Sequence, residues 1–186
     1  MKNAFKLIII CISILSIFGC NTKNKYVDVI VDGNGQFPKQ LAGTWKSDND
    51  MWEIALEPDG TISWAIISLG YVKIIPGKTT IVPMAMGGEG IFKPGLWTVR
   101  YLQNQHDLII EIIIEDFRTE LGTDILYGKT HDVFSGTVSN DGDFWWTDRY
   151  SYSEYFADTQ NYHNYKLPVD PNENPKETLL FKKISE

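Results

Sequence analysis

Two of the three histidines in this chain precede an aspartate, in the pairs His106-Asp107 and His131-Asp132, and the third is His163. A metal-dependent hydrolase of the His-Asp type would place such pairs on helices, and a zinc site needs three or four converging ligands. Here the pairs lie at or beside turns of a strand-rich chain, with no HExxH, CxxC, P-loop, GxGxxG or GxSxG pattern. We therefore predict no metal, no cofactor and no assigned catalytic residue.

The segment 144–165 is the most informative part of the chain, because nine of its 22 residues are aromatic. On an extended strand alternate residues share a face, so one face carries Phe144, Trp146, Asp148, Tyr150 and Tyr152. A buried carboxylate among aromatic rings needs a partner. If this face lines a pocket, we expect Trp146, Asp148, Tyr150 and Tyr152 to bind a ligand, with Arg100 as a candidate counter-ion for Asp148. The alternative is that the face is packed core.

Further aromatics continue beyond this strand with polar residues between them, namely Tyr155, Phe156, Tyr162 and Tyr165. Exposed aromatics of this kind stack on sugars or bind a protein partner. The pattern therefore predicts an aromatic loop over Tyr155–Tyr165 that binds glycan or an envelope protein. The alternative is a loop folded back over the mouth of a barrel.

The first residues predict export from the cytoplasm. Met1–Lys6 carries two lysines and no acid, and Leu7–Phe18 is an uncharged run of twelve residues. As a helix this run covers about 18 Å, well short of the roughly 30 Å that a membrane-spanning helix needs. A basic start followed by a short apolar stretch is typical of a secretory signal.

The end of this segment, Ile17-Phe18-Gly19-Cys20, resembles the lipobox of bacterial lipoproteins. The resemblance implies cleavage before Cys20 and acylation of its thiol. Cys11 lies in the part that would be removed, so Cys20 has no disulfide partner. Asn21 follows the cysteine instead of the aspartate that marks inner-membrane retention, which favours the outer membrane of the cell envelope. The alternative is an ordinary signal peptide with an incidental cysteine.

Composition limits the classes of protein that remain. The chain has 186 residues, with 24 acidic and 17 basic side chains. Removal of residues 1–19 takes away two lysines and no acid, so residues 20–186 carry a net charge of 15 − 24 = −9. This charge argues against nucleic acid as a partner, and the length suits one domain with a real core. We predict a signal peptide over 1–19, a lipidated cysteine and tether over 20–36, and one domain over 37–186.

The segments that position the candidate site residues are predicted to be β-strands. Apolar and polar residues alternate from Leu41 onward, with turn residues at intervals of about ten. A short strand is also expected over Tyr26–Val31, and one long strand over Thr61–Ile75. The pattern predicts an all-β fold, an antiparallel up-and-down meander of eight to ten strands that forms a closed or nearly closed barrel.

The pattern Gly43-Thr44-Trp45, which follows a short segment containing Pro38, resembles the Gly-X-Trp motif of the first barrel strand in lipocalins. The resemblance implies a lipocalin-like barrel with Trp45 closing one end. Lipocalins place an arginine of the last strand over this tryptophan, and here that strand offers Lys182 and Lys183. The ligand binding of the family follows only as an implication, and plain core packing explains Trp45 equally well.

Three functions are therefore weighed. The first is a membrane-anchored lipoprotein whose barrel binds a small apolar or amphipathic molecule. The second is an envelope interaction module that binds glycan or protein through the aromatic loop. The third is an enzyme at the barrel mouth that uses Asp148 or His131.

Overall fold

A computed structural model describes residues 25–33, 35–85, 87–167 and 176–184. The predicted signal segment, Cys20 and the start of the tether lie outside these ranges. Within them the protein is all-β, as predicted, with one short 3-10 turn at Lys39–Leu41. The described residues contain no helix long and apolar enough to cross a bilayer.

Fourteen strands form in the described residues. The first half contains β1 (Val27–Asp32), β2 (Gly43–Ser47), β3 (Glu53–Leu56), β4 (Ile62–Ile67), β5 (Val72–Ile74), β6 (Thr80–Pro83) and β7 (Glu89–Pro94). The second half contains β8 (Trp97–Leu102), β9 (Asp107–Leu121), β10 (Asp124–Val138), β11 (Phe144–Ser151), β12 (Glu154–Asp158), β13 (Tyr165–Lys166) and β14 (Lys176–Ile184).

One sheet contains all of these strands, and ten of them follow the order β1-β8-β9-β10-β11-β14-β2-β3-β4-β5. Two runs of consecutive hairpins, β2 to β5 and β8 to β11, are joined by β14, which pairs with both β11 and β2. Strands β6 and β7 pair with each other, and β7 extends along β9. The antiparallel hairpins of the prediction are therefore present.

The prediction of a wholly antiparallel, closed barrel is not confirmed. Strand β1 pairs with β8 in parallel, so the sheet is mixed. Among the described residues the pairing path ends at β1 and at β5, which do not pair with each other. The sheet still curls on itself: a Cβ added at Gly60, in the turn after β3, would lie 2.9 Å from Val29 of β1.

The strand count also exceeds the predicted eight to ten, because one predicted long strand is divided and short strands such as β6, β12 and β13 are present. The predicted strand Thr61–Ile75 is divided into β4 and β5 by a turn in which Gly70 and Tyr71 both have positive φ. Gly95 and Leu96 separate β7 from β8, and both strands pair with β9. The predicted strand Tyr26–Val31 is present as β1, so the sheet begins inside the segment assigned to the tether.

The curled sheet encloses one hydrophobic core. Four tryptophans lie in it, each at most 1% exposed: Trp45, Trp52, Trp97 and Trp145. They are packed with isoleucines of β9 and phenylalanines such as Phe134 and Phe181. Rings this large contribute most of the buried apolar area of a domain of this size. The positions inside the sheet are therefore occupied by side chains, and the candidate sites lie on its outer surface and edges.

Candidate functional site

Strand β11 carries most of the predicted site, and its two faces meet different surroundings. The inner face begins with Trp145, which is 0% exposed. Its indole N–H donates to the carbonyl oxygen of Gly136 on β10, at 3.1 Å. Its ring lies 5.0 Å from that of Phe181 and 6.4 Å from that of Trp45, measured between ring centroids. Trp145 is therefore held in the core by contacts from β2, β10 and β14.

Further along the inner face, Arg149 forms a partly buried charge cluster that the sequence did not predict. Its guanidinium donates to Oδ1 of Asp132 at 2.9 and 2.7 Å, and to Oε2 of Glu177 at 2.8 Å. The Asp132 side chain is only 4% exposed. The guanidinium carbon also lies 4.9 Å from the centre of the Trp52 ring.

The neighbouring carboxylates favour the charged form of Arg149. Burial alone lowers the pKa of Arg149, but the neighbouring carboxylates of Asp132 and Glu177 outweigh it, so the net shift is upward. The indole N–H of Trp52, beneath the guanidinium, is buried and has no hydrogen-bond partner in the described part of the chain. The Arg149 guanidinium therefore has carboxylate partners at the boundary of the core, whereas the Trp52 indole N–H has none among the described residues.

The outer face of β11 carries the predicted ligand-binding residues, and here the prediction of an inward face is wrong. Trp146 is 53% exposed and Tyr152 is 61% exposed, while Tyr150 is half-buried. Phe144 and Trp146 stack on each other, with centroids 6.0 Å apart and ring planes 29° from parallel. These residues do share a face, as alternation predicts, but it is the solvent face because Trp145 and Arg149 occupy the interior.

Asp148 lies on the same outer face, and its partner is not Arg100. Its carboxylate accepts from Nζ of Lys176 at 2.9 Å and from Oγ1 of Thr178 at 2.8 Å. The hydrogen bonds from Lys176 and then Thr178 lower the pKa of Asp148. Arg100 is in the same cross-strand row but three strands away, which places the two Cα atoms about 14 Å apart. The predicted counter-ion pairing is therefore wrong.

The segment predicted as an aromatic loop is only partly a loop. Tyr155 and Phe156 lie in β12, which pairs with β10. The Tyr155 ring packs 5.8 Å from the buried Phe117, while Phe156 stacks on Tyr127 at 5.7 Å. Tyr162 and Tyr165 are exposed, with ring centroids 5.6 Å apart. Two of the four aromatics are thus available for a partner.

The two His-Asp pairs do not assemble into a site. Adjacent residues of a strand point to opposite faces, so Asp132 faces the core while His131 faces outward. His131 Nε2 lies 3.2 Å from a carboxylate oxygen of Glu111. His106 lies in the turn before β9 with φ of 56°. Among the described residues, no group of three or more His, Cys, Asp or Glu is arranged to hold a metal ion.

The Gly-X-Trp motif has a specific geometry at the start of β2. Trp45 is fully buried, and its indole N–H donates to the carbonyl oxygen of Leu41 at 2.9 Å. Lys183 of β14 lies over the Trp45 ring, with Nζ 5.6 Å from the centroid, and also donates to the carbonyl oxygen of Gln40. Gly43 has φ of +130°, and a Cβ there would lie 3.0 Å from the Lys183 stem. The glycine therefore leaves room for the lysine.

A cleft of about 900 Å³ opens at the edge of the sheet, between β1 and the turn that joins β3 to β4. Apolar side chains from β1, the 3-10 region and the loop before β8 line it together with charged ones. Its lining includes Lys25, Val27, Val29, Phe37, Lys39 and Leu96. No pattern in the sequence predicts this cleft, because its walls come from segments far apart in the chain.

Comparison with known proteins returns no matching family model, no matching curated protein and no matching solved structure. The fold and the candidate sites thus define the protein as an all-β protein whose curled, mixed sheet has an exposed aromatic row on β11.

Proposed function

We propose that this protein is a lipid-anchored interaction module of the bacterial cell envelope that binds an extended glycan on the outer face of β11. The observation that carries the proposal is an aromatic row along β11 and the residue that follows it, in which Phe144, Trp146 and Tyr152 are exposed and Tyr150 is half-buried. Aromatic rings held open to solvent on a rigid sheet are suited to stack on the apolar faces of sugar rings. Contiguous exposed apolar surface of this kind marks interaction sites.

The shape and chemistry of the row favour a glycan over a protein partner. From Trp146 to Tyr152 the strand extends about 20 Å, a length that suits several linked sugars. Hydroxyl groups lie beside the rings, because Thr137 is opposite Trp146 and Ser135 is opposite Asp148. The charged pair of Asp148 and Lys176 lies in the middle of the row, whereas the cores of protein interfaces are depleted in charge.

Binding to purified peptidoglycan and to soluble chito- and cello-oligosaccharides tests the proposal. We expect the full chain to bind at least one of these glycans, and Trp146→Ala and Tyr152→Ala each to weaken binding by about tenfold or more. Tyr71→Ala is the matched control, since Tyr71 is 58% exposed but lies in the β4–β5 turn. Glycan binding that is absent, or unchanged in both variants, contradicts the proposal. Capture of one defined envelope protein that depends on Trp146 would replace glycan by protein.

The lipid anchor belongs to the same proposal and has its own test. Cleavage before Cys20 and transfer of a diacylglyceryl group to its sulfur, with a thioether formed, predict a mature chain that begins at Cys20 and carries the added mass of that group. Several acyl chains would hold the protein on a membrane, since each buried methylene contributes about 0.8 kcal/mol. Mass spectrometry of the protein purified from membranes measures both features. An unmodified Cys20 would remove the anchor from the proposal.

The relation to lipocalins also stays a proposal. Two features support it: the last strand β14 pairs with β2, the strand that carries the Gly-X-Trp motif, and Lys183 lies over Trp45 where lipocalins place an arginine. A crystal structure in which β5 closes onto β1 or β6 would establish the barrel.

The edge cleft supports a second candidate function, the binding of a small amphipathic molecule. Its apolar walls at Val29 and Phe37 are bordered by Lys25 and Lys39, a combination suited to an acyl chain with an anionic head. Native mass spectrometry of the Cys20→Ser protein tests it. An extra mass that disappears on denaturation, and that Val29→Asp abolishes, supports the candidate, while a clean apo mass after incubation with envelope lipids excludes it.

A further inference from the structure

A second exposed apolar surface surrounds the point where the described chain begins. Tyr26 lies across Gly77 in the turn between β5 and β6, so closely that a Cβ added there would fall 2.1 Å from its ring. Its carbonyl oxygen accepts from the backbone N–H of Trp97 at 3.0 Å, which fixes this position. Tyr26 and Gly77 line a shallow depression together with Leu96, which is 54% exposed. Ile75, in the same turn as Gly77, is 41% exposed.

Lysines surround these apolar side chains. Nζ of Lys25 lies 4.9 Å from the centre of the Tyr26 ring. Lys78 closes the turn, where it pairs with Ile75 in an isolated bridge. Lys93 lines the depression and forms an ion pair with Glu115 at 3.4 Å. Residues 20–186 carry a net charge of 15 − 24 = −9, so this group of lysines is opposite in sign to the molecule as a whole.

The distance to the proposed anchor is short. Lys25 follows Cys20 by five residues, and five residues span at most about 18 Å. With Cys20 acylated, Lys25 and the surface around it therefore stay within that distance of the lipid headgroups. This step rests on the proposed lipid anchor.

We infer that the surface formed by Lys25, Tyr26, Ile75, Lys78 and Leu96, the tether-side surface, docks on the anionic headgroups of the membrane that carries the anchor. Tyrosine suits the interface because its ring is apolar and its hydroxyl is polar, while lysines are attracted to anionic lipid and aliphatic tips insert. Strands β8, β9 and β10 separate β1 from β11 in the curled sheet. Docking on this side therefore leaves the outer face of β11 uncovered for glycan.

The experiment uses the full acylated protein, purified from membranes and reconstituted into vesicles of phosphatidylethanolamine and phosphatidylglycerol. A fluorophore is placed on Leu96→Cys, and for the matched control on Tyr162→Cys, which is 62% exposed. Spin-labelled lipid headgroups then quench fluorophores that lie near the bilayer. We expect quenching at position 96 several-fold greater than at position 162, and weaker quenching at 96 in neutral phosphatidylcholine vesicles.

Lys25→Gln and Lys78→Gln, made in the Leu96→Cys background, test the charge contribution. Each change is expected to lower the ratio of docked to undocked protein by about fivefold. Equal quenching at positions 96 and 162 in protein that stays on the vesicles overturns the docking surface while the anchor stands. Protein that carries no acyl mass on Cys20 overturns the anchor and the inference together, and leaves glycan binding to be judged by its own assay.

Discussion

Trp145 and Trp146 are neighbours in the chain, yet one is fully buried and the other is 53% exposed. The inner face of β11 continues with Thr147 and Arg149, whose side chains point toward the packed interior. The outer face continues with Asp148 and Tyr150, which face solvent beside β14. The outer face carries more aromatic rings than the inner face, and both faces carry a charge, so residue type does not identify the buried face. What distinguishes them is the neighbouring strand, because Gly136 on β10 has no side chain and its carbonyl accepts the Trp145 indole.

Replacing each tryptophan by alanine gives the largest expected difference between the two faces. Trp145→Ala removes a ring in contact with Trp45, Phe134 and Phe181, and leaves a cavity in the core. We expect it to lower the free energy of unfolding by about 3 to 5 kcal/mol. Trp146→Ala leaves no cavity, so the change should stay within about 0.5 kcal/mol. Urea denaturation monitored by far-UV circular dichroism measures both.

Equal destabilisation by the two substitutions would mean that the faces of β11 are assigned wrongly. Trp145→Phe is the graded control, since it keeps most of the buried ring but loses the hydrogen bond to Gly136. It should fall between the wild type and Trp145→Ala.

The charges on the two faces provide the second comparison. Arg149→Met leaves Asp132, whose side chain is 4% exposed, without a counter-ion. Breaking a buried pair in this way costs about 3 kcal/mol or more, because one charge stays buried and unpaired. The double variant Arg149→Met with Asp132→Leu should recover much of that loss. Thermal and urea unfolding report both values, and a neutral Arg149→Met would show that Asp132 is accessible to water.

Alternation in the sequence was enough to predict the strands and to group Trp146 with Asp148, Tyr150 and Tyr152. It could not say which group faces inward, because Trp145 on the opposite face is as apolar as Trp146. Alternation could not predict the charge cluster around Arg149 either. Asp132, Arg149 and Glu177 lie on three different strands, and only the register of β10, β11 and β14 brings them together.

The parallel pairing of β1 with β8 and the edge cleft are not predicted, for a related reason. The sequence predicts the strand itself from its alternation, but the partner of a strand depends on contacts between distant segments. Likewise, the turn at Gly70 interrupts an apolar run that continues on both sides, so the pattern alone predicts that run as one strand.

A third prediction extends the comparison to β2, where Gly43 is exposed and Trp45, two residues further on, is buried. Gly43→Ala places a Cβ at φ of +130° and 3.0 Å from the stem of Lys183. Backbone strain of this kind costs about 1 to 3 kcal/mol. We therefore expect reduced stability, with Trp45 fluorescence changed because Lys183 is displaced. Gly87→Ala is the control, since its φ is +87° but a Cβ there meets nothing within 4 Å. A larger loss at Gly87 would rule out the contact with Lys183 as the cause.

The smallest expected effect concerns the outer ion pair of Asp148 and Lys176. Both side chains are partly exposed, and exposed pairs contribute little to stability. The pKa of Asp148 is lowered in the folded protein, first by Lys176 and then by Thr178. Its contribution is therefore present above the pKa of an unfolded aspartate, about 3.9, and is lost as the pH falls through the lower folded pKa.

Asp148→Asn should accordingly be slightly less stable than the wild type near neutral pH, by less than Gly43→Ala, and the two proteins should converge in acid. Denaturation midpoints measured across that range test the sign. A difference that grows as the pH falls would contradict the pairing with Lys176. Because the pair lies between Trp146 and Tyr150, the same variant also separates stability from binding. A change in glycan affinity larger than the change in stability would place Asp148 in contact with the sugar.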